Sequence, residues 1–140
     1  MADDAKLRAL LGAGINGVLV TLKRDGRPQL SNITYGLAGD VARISVTDDR
    51  AKTRNMRRDP RVSLYATASD FWSYVVAEGT AELSPVAAAP DDATVEALVD
   101  HYRSVRGEHD DWDEFRATMV RDRRLLCTVR IERVYGMAFR

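Results

Sequence analysis

The 140-residue sequence contains one cysteine, two histidines and no long uncharged run, and each shortage excludes a class of protein. The single cysteine, Cys127, excludes an intramolecular disulfide framework and a cysteine-cage zinc site. His101 and His109 are eight positions apart, which is not the spacing of metal ligands on a helix or in a loop. No uncharged run reaches the roughly 20 residues of a membrane-spanning helix. These absences predict a metal-free protein that does not cross a membrane.

A secretory leader and a strong net charge are also absent. Asp3 and Asp4 stand where a signal peptide has a basic start followed by an apolar run, so the sequence predicts a cytoplasmic protein. The 21 basic residues balance the 21 acidic residues, and net charge therefore favours no class of partner. Length and composition predict one soluble globular domain over residues 1–140.

The charge is nevertheless unevenly distributed along the chain. Six basic residues fall between Arg50 and Arg61, and eleven of the 21 acids lie between Glu78 and Glu114. Arg50 and Lys52 open a helix predicted over residues 51–59, where free backbone amides and the helix dipole favour an anion. Arginine and lysine together suit a phosphoryl group. The alternative interpretation is a solvated basic helix face.

The hydrophobic pattern predicts an α+β fold that is mainly β. Six strands are expected, with short helices at the start, after the third strand and before the sixth. Asp25-Gly26 is a hairpin signal, and the first three strands are expected to form an antiparallel meander. Residues 41–47 alternate so that Ala42, Ile44 and Val46 face inward. Val18, Val20 and Leu22 share one face of the first strand. A small closed barrel with helical caps accounts for this order.

Two further clusters are candidates for ligand contacts. Amides and hydroxyls lie on a strand that should be half buried, which is typical of the border of a polar ligand or of a solvated edge strand. The residues are Gln29, Ser31, Asn32 and Thr34. Trp72 and Tyr74 are expected on one side of a strand, where they are able to stack on a planar ring or to pack in a core or an interface.

Residues with an evident catalytic arrangement are missing from the sequence. There is no P-loop or Gly-x-Ser-x-Gly segment. Three tyrosines are candidate proton donors, but packing explains each of them equally well, and no catalytic residue is assigned: Tyr35, Tyr74 and Tyr135. A chain without a nucleophile, a base or a metal site is expected to take its reactivity from a cofactor.

Four segments carry a resemblance to a known family: residues 17–22 (GVLVTL), 25–32 (DGRPQLSN), 50–60 (RAKTRNMRRDP) and 72–80 (WSYVVAEGT). Together they resemble the pyridoxamine 5'-phosphate oxidase-like split barrels. Residues 91–98 (DDATVEAL) and 134–137 (VYGM) are similar to the branch that uses the deazaflavin coenzyme F420. The resemblance covers residues 17–137. Residues 129–140 lack the tryptophan of true pyridoxamine phosphate oxidases, so that reaction is not expected.

The resemblance implies a six-stranded antiparallel split β-barrel that forms a homodimer, with two cofactor sites at the subunit interface. Arg50, Ala51 and Lys52 match the segment that binds the cofactor phosphate. Ser45 and Asn55 match positions in the same pocket, and Gln29 and Asn32 match positions that face the ring system. Trp72 and Tyr74 would come from the partner subunit.

The function that the resemblance implies is hydride transfer from reduced F420 to an unsaturated small molecule. Arg54, Arg57 and Arg58 are candidate contacts for the acidic tail of this coenzyme. An FMN-dependent oxidoreductase and a non-catalytic coenzyme carrier are the alternatives. Nucleic-acid binding has only the arginine segment in its favour and is not expected.

Overall fold

A computed structural model describes residues 4–139, so Asp3, one of the two acids behind the cytoplasmic prediction, lies outside the described residues. No helix within the described chain is long and apolar enough to span a membrane. The elements, in chain order, are α1 (Asp4–Gly12), β1 (Asn16–Leu22), β2 (Pro28–Thr34), β3 (Gly36–Ala38), β4 (Val41–Thr47), α2 (Ala51–Arg58), β5 (Arg61–Thr67), β6 (Tyr74–Leu83), α3 (Ala93–Arg106), α4 (Trp112–Arg121) and β7 (Arg124–Met137).

The strands form one antiparallel sheet in the order β2-β1-β5-β6-β7-β4-β3. Although β2 and β4 are far apart in this order, they contact each other, because the sheet curls into a half-barrel. The prediction of a mainly-β, split-barrel architecture with short helices is confirmed.

The predicted count of six strands is wrong, because Gly36–Ala38 is a seventh strand that pairs with Val41–Arg43. This segment resembled a turn since it is three residues long and is bounded by glycines. The predicted meander is also wrong. β2 pairs with β1, whereas β4 pairs with β7 and β3, so the chain crosses from one side of the sheet to the other after Thr34.

The main core lies inside the curled sheet. Ala42, Ile44 and Val46 are buried there, as their alternation predicted. In β7, Leu125 faces the same core, whereas Leu126 points outward into a second cluster formed with α3 and α4. The α3–α4 hairpin is therefore fixed to the outside of β7.

In β1 the inward side chains are Leu19 and Thr21, both fully buried. The side of β1 that carries Val18, Val20 and Leu22 is half-buried and lies on the outer surface of the sheet. A threonine occupies the interior because its hydroxyl is hydrogen-bonded to two amide side chains, described below.

The short helix α2 is held at a fixed position relative to the sheet. The buried Thr53 hydroxyl donates a hydrogen bond of 2.7 Å to the carbonyl oxygen of Thr47, at the end of β4. The helix ends before Pro60, which cannot continue it. The first turn of α2 is therefore anchored at the end of β4.

Candidate functional site

A cavity of about 640 Å³ lies where the ends of β2 and β4 meet α2, α3, α4 and the start of β7. Its volume is within the range of small-molecule sites. It is lined by Asn32, Ile33, Thr34, Ser45, Val46, Thr47, Arg50, Lys52, Leu98, His101, Tyr102, Val105, Arg106, Phe115, Met119 and Arg124.

Four of the predicted site residues line this cavity together: Asn32, Ser45, Arg50 and Lys52. Arg50 is the N-cap residue of α2 and its side chain makes no capping hydrogen bond. The first backbone amides of such a helix have no intrahelical acceptor. Ala51 is exposed at the first position of α2 and is not part of the lining.

The charged residues of the cavity lining are all cations: Arg50, Lys52, Arg106 and Arg124. Ten other arginines of residues 4–139 form ion pairs with carboxylates, and none of these four cations does. Burial lowers the pKa of Lys52, and the nearby charges of Arg50 and Arg124 lower it further. Uncompensated like charges of this kind are stabilised by a bound anion.

Gln29 and Asn55 do not line the cavity but are joined to each other through Thr21. The Asn55 amide donates to the Thr21 hydroxyl at 3.1 Å, and this hydroxyl donates to Gln29 Oε1 at 2.8 Å. The Gln29 amide in turn donates to Ser31. This network couples β1, β2 and α2 and fixes the orientation of both amides.

Two of the three arginines predicted to contact an acidic tail have partners within the chain. Arg57 lies 2.7 Å from a carboxylate oxygen of Asp48, and Arg58 donates to the carbonyl oxygen of Leu22 at 2.6 Å. Arg54 is exposed and no side-chain contact is shown for it. Of the three, Arg54 alone is left for an external partner.

Trp72 and Tyr74 do not line the cavity, and Tyr74 lies at the opposite end of β6 from Arg124. In the β6–β7 register, Tyr74 pairs with Met137 and Leu83 pairs with Cys127, so Arg124 lies beyond the far end of β6. Nine residue steps along a strand correspond to roughly 30 Å. Trp72 precedes β6 rather than belonging to it, and 70% of it is exposed. Within one chain these aromatic residues do not reach the cavity.

The α3–α4 hairpin supplies an apolar wall that sequence reasoning missed. Leu98 and Tyr102 of α3 line the cavity, together with Phe115 from α4. The rings of Tyr102 and Phe115 contact each other with centroids 5.1 Å apart. The apolar face of α3 is wide enough to contribute both to the second core cluster and to the cavity, and helical periodicity alone does not show this second use.

Tyr35 is not available as a proton donor. Its side chain is fully buried and its hydroxyl donates to the carbonyl oxygen of Leu11, which holds α1 against the sheet. Burial raises the pKa of Tyr35 to about 12. The packing interpretation is therefore correct for this tyrosine.

The comparison with known families agrees with this architecture. A family model described as pyridoxamine 5'-phosphate oxidase matches residues 4–138. The chain belongs to this family. Membership of this family accounts for the curled sheet. It does not establish which reaction, if any, this chain catalyses, because one fold hosts many functions.

Solved structures with the fold of this oxidase family extend over nearly the whole chain. A conserved hypothetical protein, Rv2991 from Mycobacterium tuberculosis, is 22% identical with a TM-score of 0.76, over 100% of this chain and 87% of that one. An F420 reductase is 23% identical with a TM-score of 0.65, over 96% and 98%. An FAD-binding protein from Mesorhizobium loti is 24% identical with a TM-score of 0.69, over 96% and 94%. At these identities the likeness establishes the fold.

His101 is a titratable group of the cavity wall that the family resemblance did not single out. Only 9% of it is exposed, and its Nδ1 atom is buried with no hydrogen-bond partner in residues 4–139. Burial lowers its pKa below the usual 6.5, and the nearby charge of Arg43 lowers it further.

We expect His101 to make the protein less stable in acid. The unfolded chain takes up a proton at this residue near pH 6.5, whereas the folded chain does so only at lower pH. The free energy of unfolding therefore decreases as the pH falls below about 6.5. Thermal unfolding from pH 8 to pH 5 measures the effect. Above pH 7, the melting temperature of a His101→Gln variant should change with pH as that of the wild type does. Below pH 7, it should fall less steeply. Equal slopes over the whole range would contradict this assignment.

Proposed function

We propose that this member of the pyridoxamine 5'-phosphate oxidase family is a coenzyme F420-dependent oxidoreductase that reduces an unsaturated organic substrate. The observation that carries the proposal is a single cavity with a cationic end, free of carboxylates, and an apolar wall. A phosphorylated cofactor with a planar ring system requires these two environments side by side.

The donor set of the cavity fits such a cofactor. Arg50 offers a planar guanidinium and Lys52 a mobile ammonium to the phosphate, at the start of a helix whose dipole also favours an anion. Asn32 offers an amide to the polar edge of the ring, and Gln29 and Asn55 stabilise the strand and helix that carry these groups. When bound, reduced F420 supplies a hydride from C5.

The contribution of the chain is to position the ligands and to exclude water. The wall of Leu98, Tyr102 and Phe115 shields one side of the cavity. Excluding water strengthens the electrostatic interactions inside the site and favours a defined orientation of the substrate. No proton donor is assigned to a residue of the chain.

We also propose that two chains form a homodimer in the cytoplasm and that each cavity is completed by Trp72 and Tyr74 of the other chain. Several large apolar side chains are exposed around the end of the sheet where Trp72 lies. Contiguous exposed apolar surface of this kind is typical of an interface. The residues concerned are Phe71, Trp72, Tyr135, Met137 and Phe139.

Two alternatives each have a specific observation in their favour. FMN also carries a phosphate, so Arg50 and Lys52 suit it equally, and one structural neighbour binds FAD. A coenzyme carrier is favoured by the absence of a carboxylate or a thiol from the cavity lining of the described chain. Both alternatives retain the same anion site.

The decisive experiment is a parallel fluorescence titration of the purified protein with F420 and with FMN. We expect tight binding of F420 and weaker binding of FMN. Tight binding of FMN alone would move the protein to the flavin oxidoreductases. Binding of F420 without turnover of any unsaturated substrate by the reduced coenzyme would favour a carrier. Binding of neither would contradict the proposal.

A further inference from the structure

Arg124 begins β7 and lines the cavity, although it lies outside the basic segment that predicted the anion site. In the β4–β7 pairing it stands opposite Thr47, at the end of the strand that leads to Arg50 and Lys52. Its charge contributes to lowering the pKa of Lys52. The sheet thus brings a third cation to the position where the first two converge.

The guanidinium of Arg124 is only partly used by the protein. Its Nη1 atom lies 3.3 Å from the hydroxyl oxygen of Ser45 and 3.4 Å from the carbonyl oxygen of the same residue. Its Nε atom is buried with no hydrogen-bond partner in residues 4–139, and the same is true of the Thr47 hydroxyl. A buried donor without a partner is destabilising unless a ligand satisfies it. Arg124 therefore has an unpaired Nε–H on a side chain that Ser45 holds at the cavity wall.

The neighbouring Arg123, unlike Arg124, is paired with a carboxylate. Its Nη2 atom lies 2.8 Å from one carboxylate oxygen of Asp48, whose other oxygen lies 2.7 Å from Arg57. Asp48 is thus occupied by two arginines and does not line the cavity. Arg123 is neutralised by this carboxylate, whereas Arg124 has none.

We propose that Arg124 is a third ligand of the cofactor phosphate and that Thr47 donates its hydroxyl to the same group. The Nε side of a guanidinium is one of the edges that bind two oxygens of a phosphate in parallel. The ligand class is therefore a phosphate ester, held by Arg50 and Lys52 on the side of α2 and by Arg124 and Thr47 on the side of the sheet. This inference rests on the proposed cofactor site.

The test compares Arg124→Met with Arg123→Met, which removes the same charge one position away. Each variant is titrated with F420 and with its chromophore lacking the phosphate and tail. We expect Arg124→Met to weaken F420 binding about tenfold, the range of one charge-assisted contact, and to leave binding of the phosphate-free chromophore unchanged. Arg123→Met should leave both affinities within about twofold of wild type. If FMN proves to be the cofactor, FMN and riboflavin replace this pair.

The outcomes separate this inference from the proposed function. Equal loss for both ligands, or no loss for either, would overturn the phosphate role of Arg124 while wild-type binding of F420 still stood. Failure of the wild-type protein to bind F420 or FMN would overturn both. We expect ligand-free Arg124→Met to melt no lower than wild type, because losing the two long contacts to Ser45 is offset by removing a buried unpaired Nε–H and the repulsion of Lys52. If Arg124→Met does not fold, Arg124→Lys replaces it, because lysine keeps the charge but cannot bind two phosphate oxygens in parallel. Wild-type affinity for F420 in Arg124→Lys would contradict the proposal.

Discussion

Replacing Lys52 by alanine is expected to weaken coenzyme F420 binding by about tenfold to a hundredfold. A hydrogen bond to a charged group contributes about 1.5–3 kcal/mol, and about 1.4 kcal/mol is a factor of ten in affinity. Lys52 is at the upper end of this range, since it is half-buried among cations and has no carboxylate in the described chain to lose on binding. Fluorescence titration of the coenzyme measures the change.

Lys23→Ala is the matched control, because it removes the same charge from the exposed turn between β1 and β2. It should leave the affinity unchanged at physiological salt, where exposed charges more than about 10 Å apart are largely screened. Equal affinities for Lys52→Ala and Lys23→Ala would contradict the anion site.

The pH dependence of F420 affinity is an independent test of the role of Lys52. The pKa of Lys52 lies below the usual 10.5, and only the ammonium form attracts the phosphate. F420 affinity should therefore fall as the pH rises, and the fall should begin at lower pH than an ordinary lysine would give. The Lys52→Ala variant should lack this component.

The local patterns that the sequence predicted correctly depend on neighbouring residues. The alternation of β4 placed Ala42, Ile44 and Val46 inside, and Asp25-Gly26 does form the β1–β2 turn, where Gly26 has a φ of 88°. The placement of Arg50 and Lys52 in one cavity was predictable because they are close together in the chain and open one helix. Such features follow from periodicity and from the chemistry of helix ends.

Features that depend on long-range pairing were not predictable in this way. Arg124 approaches Ser45 across 79 positions of sequence, and this approach exists only because β4 pairs with β7 rather than with β2. The expected meander concealed that pairing. The interior position of Thr21 likewise depends on two amides, one of them 34 positions away, which alternation alone does not show.

Mixing two variants that each bind F420 weakly is expected to restore tight binding at a fraction of the sites. Trp72 does not line the cavity of its own chain, and the end of β7 that carries Arg124 is roughly 30 Å away along the strands. We therefore expect a site that uses both Lys52 and Trp72 to take them from different chains. Lys52→Ala and Trp72→Ala should each weaken F420 binding at every site of a homodimer. In a mixed dimer, one site carries both substitutions and the other carries neither.

Random exchange of equal amounts makes half of the dimers mixed, so about a quarter of all sites should regain wild-type affinity in a stoichiometric F420 titration. If Lys52 and Trp72 acted within one chain, no mixed dimer would contain an intact site and nothing would be regained. The control is a mixture of Trp72→Ala with Tyr74→Ala. Both substitutions remove an aromatic side chain that one chain supplies to the cavity of the other. Each site of this mixed dimer therefore lacks one of the two aromatic side chains, and binding should not return. Recovery in the first mixture but not in the second therefore requires that Lys52 and the two aromatic residues come to each cavity from different chains.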